Sequence, residues 1–147
     1  MNTKPLNIFL ADDDKDDRFF FEKALKELAI AALVKTFEDG EKLMAYLLDK
    51  SHALPDVLFL DISMPRKNGY ECLSEITQSE ELKAIPVVML STANAQETIS
   101  TFFRNGAHIY IHKPGDFAQL KQVIHHALPI AAEKIIETKH VKYILNA

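Results

Sequence analysis

A chain of 147 residues, 48% hydrophobic and 26% charged, has the length of one domain and the balance of an ordinary globular protein. Its net charge of −4 with histidines neutral excludes the basic footprint expected of a nucleic-acid or anionic-membrane binder. The single cysteine, Cys72, excludes an internal disulfide, and the longest apolar run, seven residues at 28–34, falls far short of the roughly 18 a membrane helix needs; with no signal-peptide pattern before Asp12, a cytoplasmic protein is expected.

The first apolar run, Leu6–Ala11, has strand length and stops at Asp12-Asp13. In the segment that follows, Phe20, Ala24, Leu25 and Leu28 recur at helical spacing. Asp14, Asp16 and Asp17 suit the N-terminus of that helix through its dipole, and Phe19-Phe20-Phe21 reads as core and helix-face packing. Ala32–Phe37 is the second strand, and Asp39-Gly40 opens a helix over 41–48. A third strand, 56–60, leads to Asp61, and Asn68-Gly69 precedes a third helix marked by Tyr70, Leu73 and Ile76. On that helix Cys72 is expected as a small, half-buried packing residue. Strand 86–90 ends at Ser91-Thr92, a helix over 95–105 closes at Asn105-Gly106, and strand 108–112 runs into Lys113-Pro114. Gly115-Asp116 caps a fifth helix over 116–128.

Strictly alternating strands and helices predict an α/β domain over residues 1–128 built on a doubly wound, five-stranded parallel sheet with helices on both faces. Val57-Leu58-Phe59-Leu60 and Val87-Val88-Met89-Leu90 are apolar on both sides, as a doubly covered sheet requires. Right-handed crossovers then favour the flavodoxin-like order 2-1-3-4-5. Residues 129–147 stand outside the alternation. Ile135, Ile136, Lys139 and Tyr143 suit a short amphipathic tail, helical or irregular, too small to be an effector domain.

The polar residues of interest gather at strand ends. In a doubly wound sheet, ligands bind beyond the C-terminal ends of the strands where the order reverses. That point, between strands 1 and 3, would bring together Asp12, Asp13 and Asp61. Three close carboxylates raise one another's pKa unless a cation joins them, and hard oxygen ligands with positions open to water and phosphate suit Mg²⁺. Ser91 and Lys113 add a hydroxyl and an ammonium at the same rim, completing the parts for handling a phosphoryl group. Singly, each has an ordinary explanation: helix caps for the Asp pair and Ser91, a turn residue for Asp61, a surface lysine for Lys113. Their joint placement at one rim singles them out.

The order of motifs resembles the receiver domain of bacterial two-component response regulators. Asp12-Asp13, the run Leu58-Phe59-Leu60-Asp61-Ile62-Ser63-Met64-Pro65 leading to Asn68-Gly69, Pro86-Val87-Val88-Met89-Leu90-Ser91-Thr92-Ala93, and Tyr110-Ile111-His112-Lys113-Pro114 carry the match, which spans about residues 6–128. The resemblance is nearest to stand-alone regulators that accompany phytochrome-type histidine kinases. It implies a phosphorelay signalling protein rather than an enzyme, with at most self-phosphorylation and self-dephosphorylation. Asp61 would be the phosphoacceptor, forming an aspartyl phosphate. Asp13 and Asp61 would bind Mg²⁺ directly, Asp12 through water, and the Ser63 backbone carbonyl would be a further ligand. Lys113 would contact the phosphoryl group, with Ser91 the switch hydroxyl and Tyr110 the switch aromatic. The resemblance also implies a cis Lys113-Pro114 bond. Departures are mild: Ser91 stands where Thr is more frequent and Thr92 where a small residue is usual, while Ser63 and Ala93 occupy positions that tune phosphoryl lifetime.

The implied partners are a sensor histidine kinase or phosphotransfer protein, with neither nucleic acid nor membrane involved. A homodimer is the further expectation, through the fourth helix, fifth strand, fifth helix and tail, with Phe102, Phe103, Ile109 and Phe117 as contacts. Two other readings compete. A phosphate-independent pseudo-receiver would have a decayed acidic pocket, yet Asp12, Asp13, Asp61, Ser91 and Lys113 are intact. A haloacid-dehalogenase-type phosphotransferase wants an Asp two residues after the nucleophile, where this chain has Ser63. The six histidines form no metal constellation: His125 and His126 diverge on a helix, and His108 and His112 lie about 13 Å apart on a strand.

Overall fold

A computed structural model describes residues 4–92, 96–132 and 143–145. The elements run β1 (Leu6–Ala11), α1 (Lys15–Glu27), β2 (Ala32–Phe37), α2 (Gly40–Leu48), β3 (Val57–Asp61), α3 (Gly69–Gln78), β4 (Val87–Ser91), α4 (Gln96–Arg104), β5 (Ile109–His112), α5 (Phe117–Ala132) and β6 (Tyr143–Leu145). The strands form one parallel sheet, ordered β2-β1-β3-β4-β5-β6. The expected 2-1-3-4-5 order holds, with one strand added at the β5 edge.

Strand periodicity sorts the core into two layers. Ile8, Leu10, Val57, Phe59, Val88, Leu90, Ile109 and Ile111 pack against Phe21, Ala24 and Leu25 of α1 and Val123, Ile124 and Ala127 of α5. The alternate residues, among them Phe9, Leu58, Leu60, Met89 and Tyr110, meet Leu43 and Leu47 of α2, Cys72, Leu73 and Ile76 of α3, and Phe102 of α4. Each interior strand is therefore apolar on both sides because each side has helices to cover it. Cys72 is fully buried rather than half-buried. Burial pushes its thiol up to about 12, so it is protonated and inert.

Helix starts follow their capping residues. The Asp14 side chain accepts from the Asp16 and Asp17 N–H groups at 2.8 and 3.1 Å, and Asp39 accepts from the Lys42 N–H at 2.8 Å. Asn68 and Glu71 form a reciprocal capping box at α3. Gly106 takes φ 104° after α4, a conformation glycine reaches without a Cβ clash.

The C-terminal segment differs from expectation. α5 continues through Pro129 to Ala132 although proline removes a helical N–H and costs about 3 kcal/mol in a helix interior. Ala127, Leu128 and Ala131 are buried on both sides of it, and that packing holds the turn. Tyr143–Leu145 pairs in parallel with β5, so this part of the tail is strand; Ile135, Ile136 and Lys139 lie outside the described residues. Of the expected dimer contacts, Phe102 and Ile109 are completely buried and belong to the core.

Candidate functional site

The reversal of strand order puts the C-terminal ends of β1 and β3 side by side. Ala11 pairs with Leu60, so Asp12 and Asp13 leave β1 next to Asp61, the last residue of β3. Asp12, Asp13 and Asp61 each offer a carboxylate oxygen within 4.8 Å of the others. Asp12 and Asp61 are 2% and 4% exposed while Asp13 faces solvent. The Asp12 Oδ1 accepts from the Asp14 N–H at 2.9 Å, its backbone carbonyl accepts from Arg18 at 2.8 Å, and the Ser63 N–H donates to the Asp61 carboxylate.

Lys113 enters from the end of β5. Its backbone N–H donates to the Ser91 carbonyl at 2.8 Å, and its ammonium lies 3.2 Å from Asp12 Oδ2, 3.0 Å from Asp17 Oδ2 and 3.4 Å from Asp61 Oδ2. The Lys113-Pro114 bond is not cis, contrary to what the resemblance implies. The trans form is the lower-energy one for X-Pro bonds, and the backbone bond to Ser91 already directs Lys113 into the pocket. Asp17, read from sequence only as a helix-dipole residue, is thus part of the constellation.

Burial dominates the electrostatics. It pushes the Asp12 carboxyl up to about 7, against the lowering influence of the Asp14 N–H and Lys113, while Asp61 and Asp17 add to the rise. Burial also raises Asp61, with Lys113 and the Ser63 N–H opposing. Burial alone would lower Lys113, but Asp12, Asp61 and Asp17 together carry it above its ordinary value. Two buried carboxyls that resist ionisation, beside an exposed one, make an oxygen donor set that a hard divalent cation fits.

Ser91 is buried at the end of β4. Its carbonyl also accepts from the Tyr110 hydroxyl at 3.4 Å. Tyr110 points inward, its ring 5.4 Å from Phe102, which in turn stacks on Tyr70 at 4.9 Å. Ala93 lies outside the described residues. Beneath the acidic turn, a Cβ on Gly69 would stand 2.5 Å from the Asp61 carbonyl oxygen and 2.7 Å from Ile62 Cα. Both neighbours are backbone, so Gly69→Ala is expected to destabilise the fold by about 2 kcal/mol through overpacking, read as a lower urea midpoint. A midpoint equal to the parent's would show that the Asp61 turn yields freely.

Beside the carboxylates lies a cavity of about 250 Å³ whose lining includes Phe20, Phe21, Leu90, Pro114, Phe117 and Leu120 together with Asp12, Asp17 and Lys113. Phe21 is buried as expected, but Phe19 and Phe20 are 60% and 42% exposed. Phe20 stands 6.0 Å from Phe117 across the cavity mouth. Three successive residues, about 100° apart on a helix, cannot share one inward face. Among the described residues no helix is long and apolar enough to cross a membrane.

Comparison with known proteins agrees with this geometry. The chain is 30% identical over 123 residues to the probable methanogenesis regulatory protein FilR2 of Methanothrix harundinacea, covering 82% of this chain and 79% of that one. It is 29% identical to the response regulator Rcp1 of Synechocystis over 82% of this chain and 84% of Rcp1; a solved structure of Rcp1 is a Mn²⁺-bound form, superposing with a TM-score of 0.79 at 27% identity over 89% and 97% of the two chains. The structure of the phosphorylated cyanobacterial phytochrome response regulator RcpA superposes with a TM-score of 0.79 at 33% identity, over 86% and 93%. Residues 8–125 match the response regulator receiver domain. With that match spanning most of the chain and the acidic rim lying where the sheet reverses, the chain belongs to the response regulator receiver domain family.

Proposed function

We propose that this protein is a cytoplasmic response regulator that accepts a phosphoryl group from a histidine kinase or phosphotransfer protein on Asp61. The observation that carries the reading is the meeting of Asp61 with Asp12, Asp13 and the Lys113 ammonium at one rim. An Asp61 carboxylate oxygen attacks the phosphorus of a phosphohistidine; the P–N bond breaks, a P–O bond forms, and the imidazole leaves with a proton. Lys113, already 3.4 Å from Asp61, holds an oxygen of the transferred group. Asp12, Asp13, Asp61 and the Ser63 carbonyl would hold Mg²⁺, which supplies charge neutralisation for the entering group. That RcpA has been captured phosphorylated and Rcp1 with Mn²⁺ bound supports both parts.

The Ser91 hydroxyl then turns toward the new acceptor oxygens, and Tyr110 repositions behind it to alter the α4-β5-α5 face. The partner meets an apolar rim of Phe19, Phe20 and Phe117 beside the pocket, the kind of surface that marks protein contact. A second copy of the chain is the other candidate partner, using α4 and α5 with β6 extending the sheet.

Titration with acetyl phosphate and Mg²⁺, followed by mass mapping, tests the reading. Acid-labile phosphate is expected at Asp61 and only with the divalent ion present. Modification at another residue, or none with Mg²⁺ saturating, overturns it. Sedimentation of the same samples decides the self-association: a monomer before and after modification removes the dimer.

A further inference from the structure

Lys113 presents three ammonium hydrogens to three carboxylates, and the nearest is Asp17, whose Oδ2 lies at 3.0 Å against 3.2 Å for Asp12 and 3.4 Å for Asp61. Asp12 and Asp61 also belong to the donor set fit for a divalent cation, from which Asp17 is absent. The ion pair to Lys113 is the only one Asp17 makes among the described residues. Its place is fixed locally, because Asp14 caps α1 and accepts the Asp17 N–H at 3.1 Å. The pair spans 96 residues of sequence and ties the first turn of α1 to the segment after β5.

We propose that Asp17 is a positioning residue for phosphoryl transfer: it anchors the Lys113 ammonium so that one hydrogen stays aimed at the reacting oxygen of Asp61. The inference rests on the reading of Asp61 as phosphoacceptor and adds to it the group that orients Lys113. A lysine side chain is a flexible four-carbon stem whose freedom must be lost before it can hold an incoming oxygen. Asp17 has already removed much of that freedom. When a phosphoryl group esterifies the Asp61 oxygen, the hydrogen that faced Asp61 passes to an oxygen of the new group, and the bond to Asp17 need not break. A competing role, in which Asp17 repels the incoming anion, is the weaker one. Asp17 is 45% exposed, so water and salt screen its charge at a distance while leaving the direct bond to Lys113 in place.

The test is calorimetric binding of beryllofluoride, with Mg²⁺ saturating, to the full chain and to D17A, D17N, K113M and D17A/K113M. D17A is expected to bind about fivefold more weakly, the size of a partly exposed charge pair. D17N keeps an acceptor oxygen toward Lys113 and is expected within about twofold of the parent. In the K113M background D17A changes nothing further, whereas a purely structural role of Asp17 at the helix start would lower affinity equally in both backgrounds. Parental or tighter binding by D17A, or the same loss without Lys113, overturns the inference alone. Failure of the parent chain to take up beryllofluoride overturns the phosphoacceptor reading and this inference with it.

Discussion

Asp61→Asn is expected to carry no acid-labile phosphate under conditions that label the parent chain, and to remain folded with a slightly higher urea midpoint. The amide has the shape of the carboxylate but its oxygen is too weak a nucleophile to accept the phosphoryl group. The gain in stability follows from burial. Asp61 is 4% exposed, and desolvation is the main reason its carboxyl is raised above the ordinary range. Replacing it by a neutral isostere removes that penalty. Lys113 is not stranded by the change, because Asp12 and Asp17 remain at 3.2 and 3.0 Å. The cost of leaving a buried cation unpaired is therefore avoided, and a small net gain is expected at neutral pH. Measurements by phosphate release in acid and by urea unfolding check the two halves separately. Residual acid-labile phosphate on the variant would place the acceptor elsewhere.

What could be read from the sequence was what depends on near neighbours in the chain. Val57 through Leu60 and Val87 through Leu90 announce strands covered on both faces, and both lie in the two core layers. Asp39, Asn68 and Asp116 sit where their helices begin, since a cap is made with residues only three positions on. Handedness left few strand orders, and the commonest of them for five strands brings Asp12, Asp13 and Asp61 together. Features that depend on distant contacts were not legible. The Tyr143–Leu145 segment is three residues long, too short to show an alternation, and becomes a strand by pairing along the edge of β5. Asp17 has a sufficient local role as an acidic residue in the first helical turn, and nothing nearby in the sequence signals Lys113. The exposure of Phe19 and Phe20 was legible in principle, because a run of three aromatics exceeds what one helix face can bury, but an apolar run is read as core by default. The cis form of Lys113-Pro114 came from resemblance alone, with no local residue requiring it.

The other large effect concerns Asp12. Its carboxyl is held at about 7 in the folded chain against an ordinary value of 3.8. Between those values the folded protein binds a proton that the unfolded chain has released, so in metal-free buffer stability falls as pH rises through this window. The contribution vanishes only well below pH 3.8, where both states hold the proton, and reaches its full size above pH 7. Its upper size is on the order of 4 kcal/mol, at 1.36 kcal/mol for each pH unit. Asp12→Asn keeps an oxygen for the Asp14 N–H and has no proton to lose, so it is expected to lie within about 1 kcal/mol of the parent near pH 4 and exceed it by several kcal/mol at pH 8. Taking the difference between the two chains at each pH removes the titrations they share. Mg²⁺ should reverse the trend in the parent alone. A cation that binds the ionised donor set stabilises the fold more as pH rises, since each binding event then has less proton to displace. Urea unfolding from pH 4 to 8 with a chelator, and again with Mg²⁺, gives all four curves. Parallel curves for the two chains in chelator would mean that Asp12 ionises in the fold as easily as in water, and the desolvated pocket would then have to be given up.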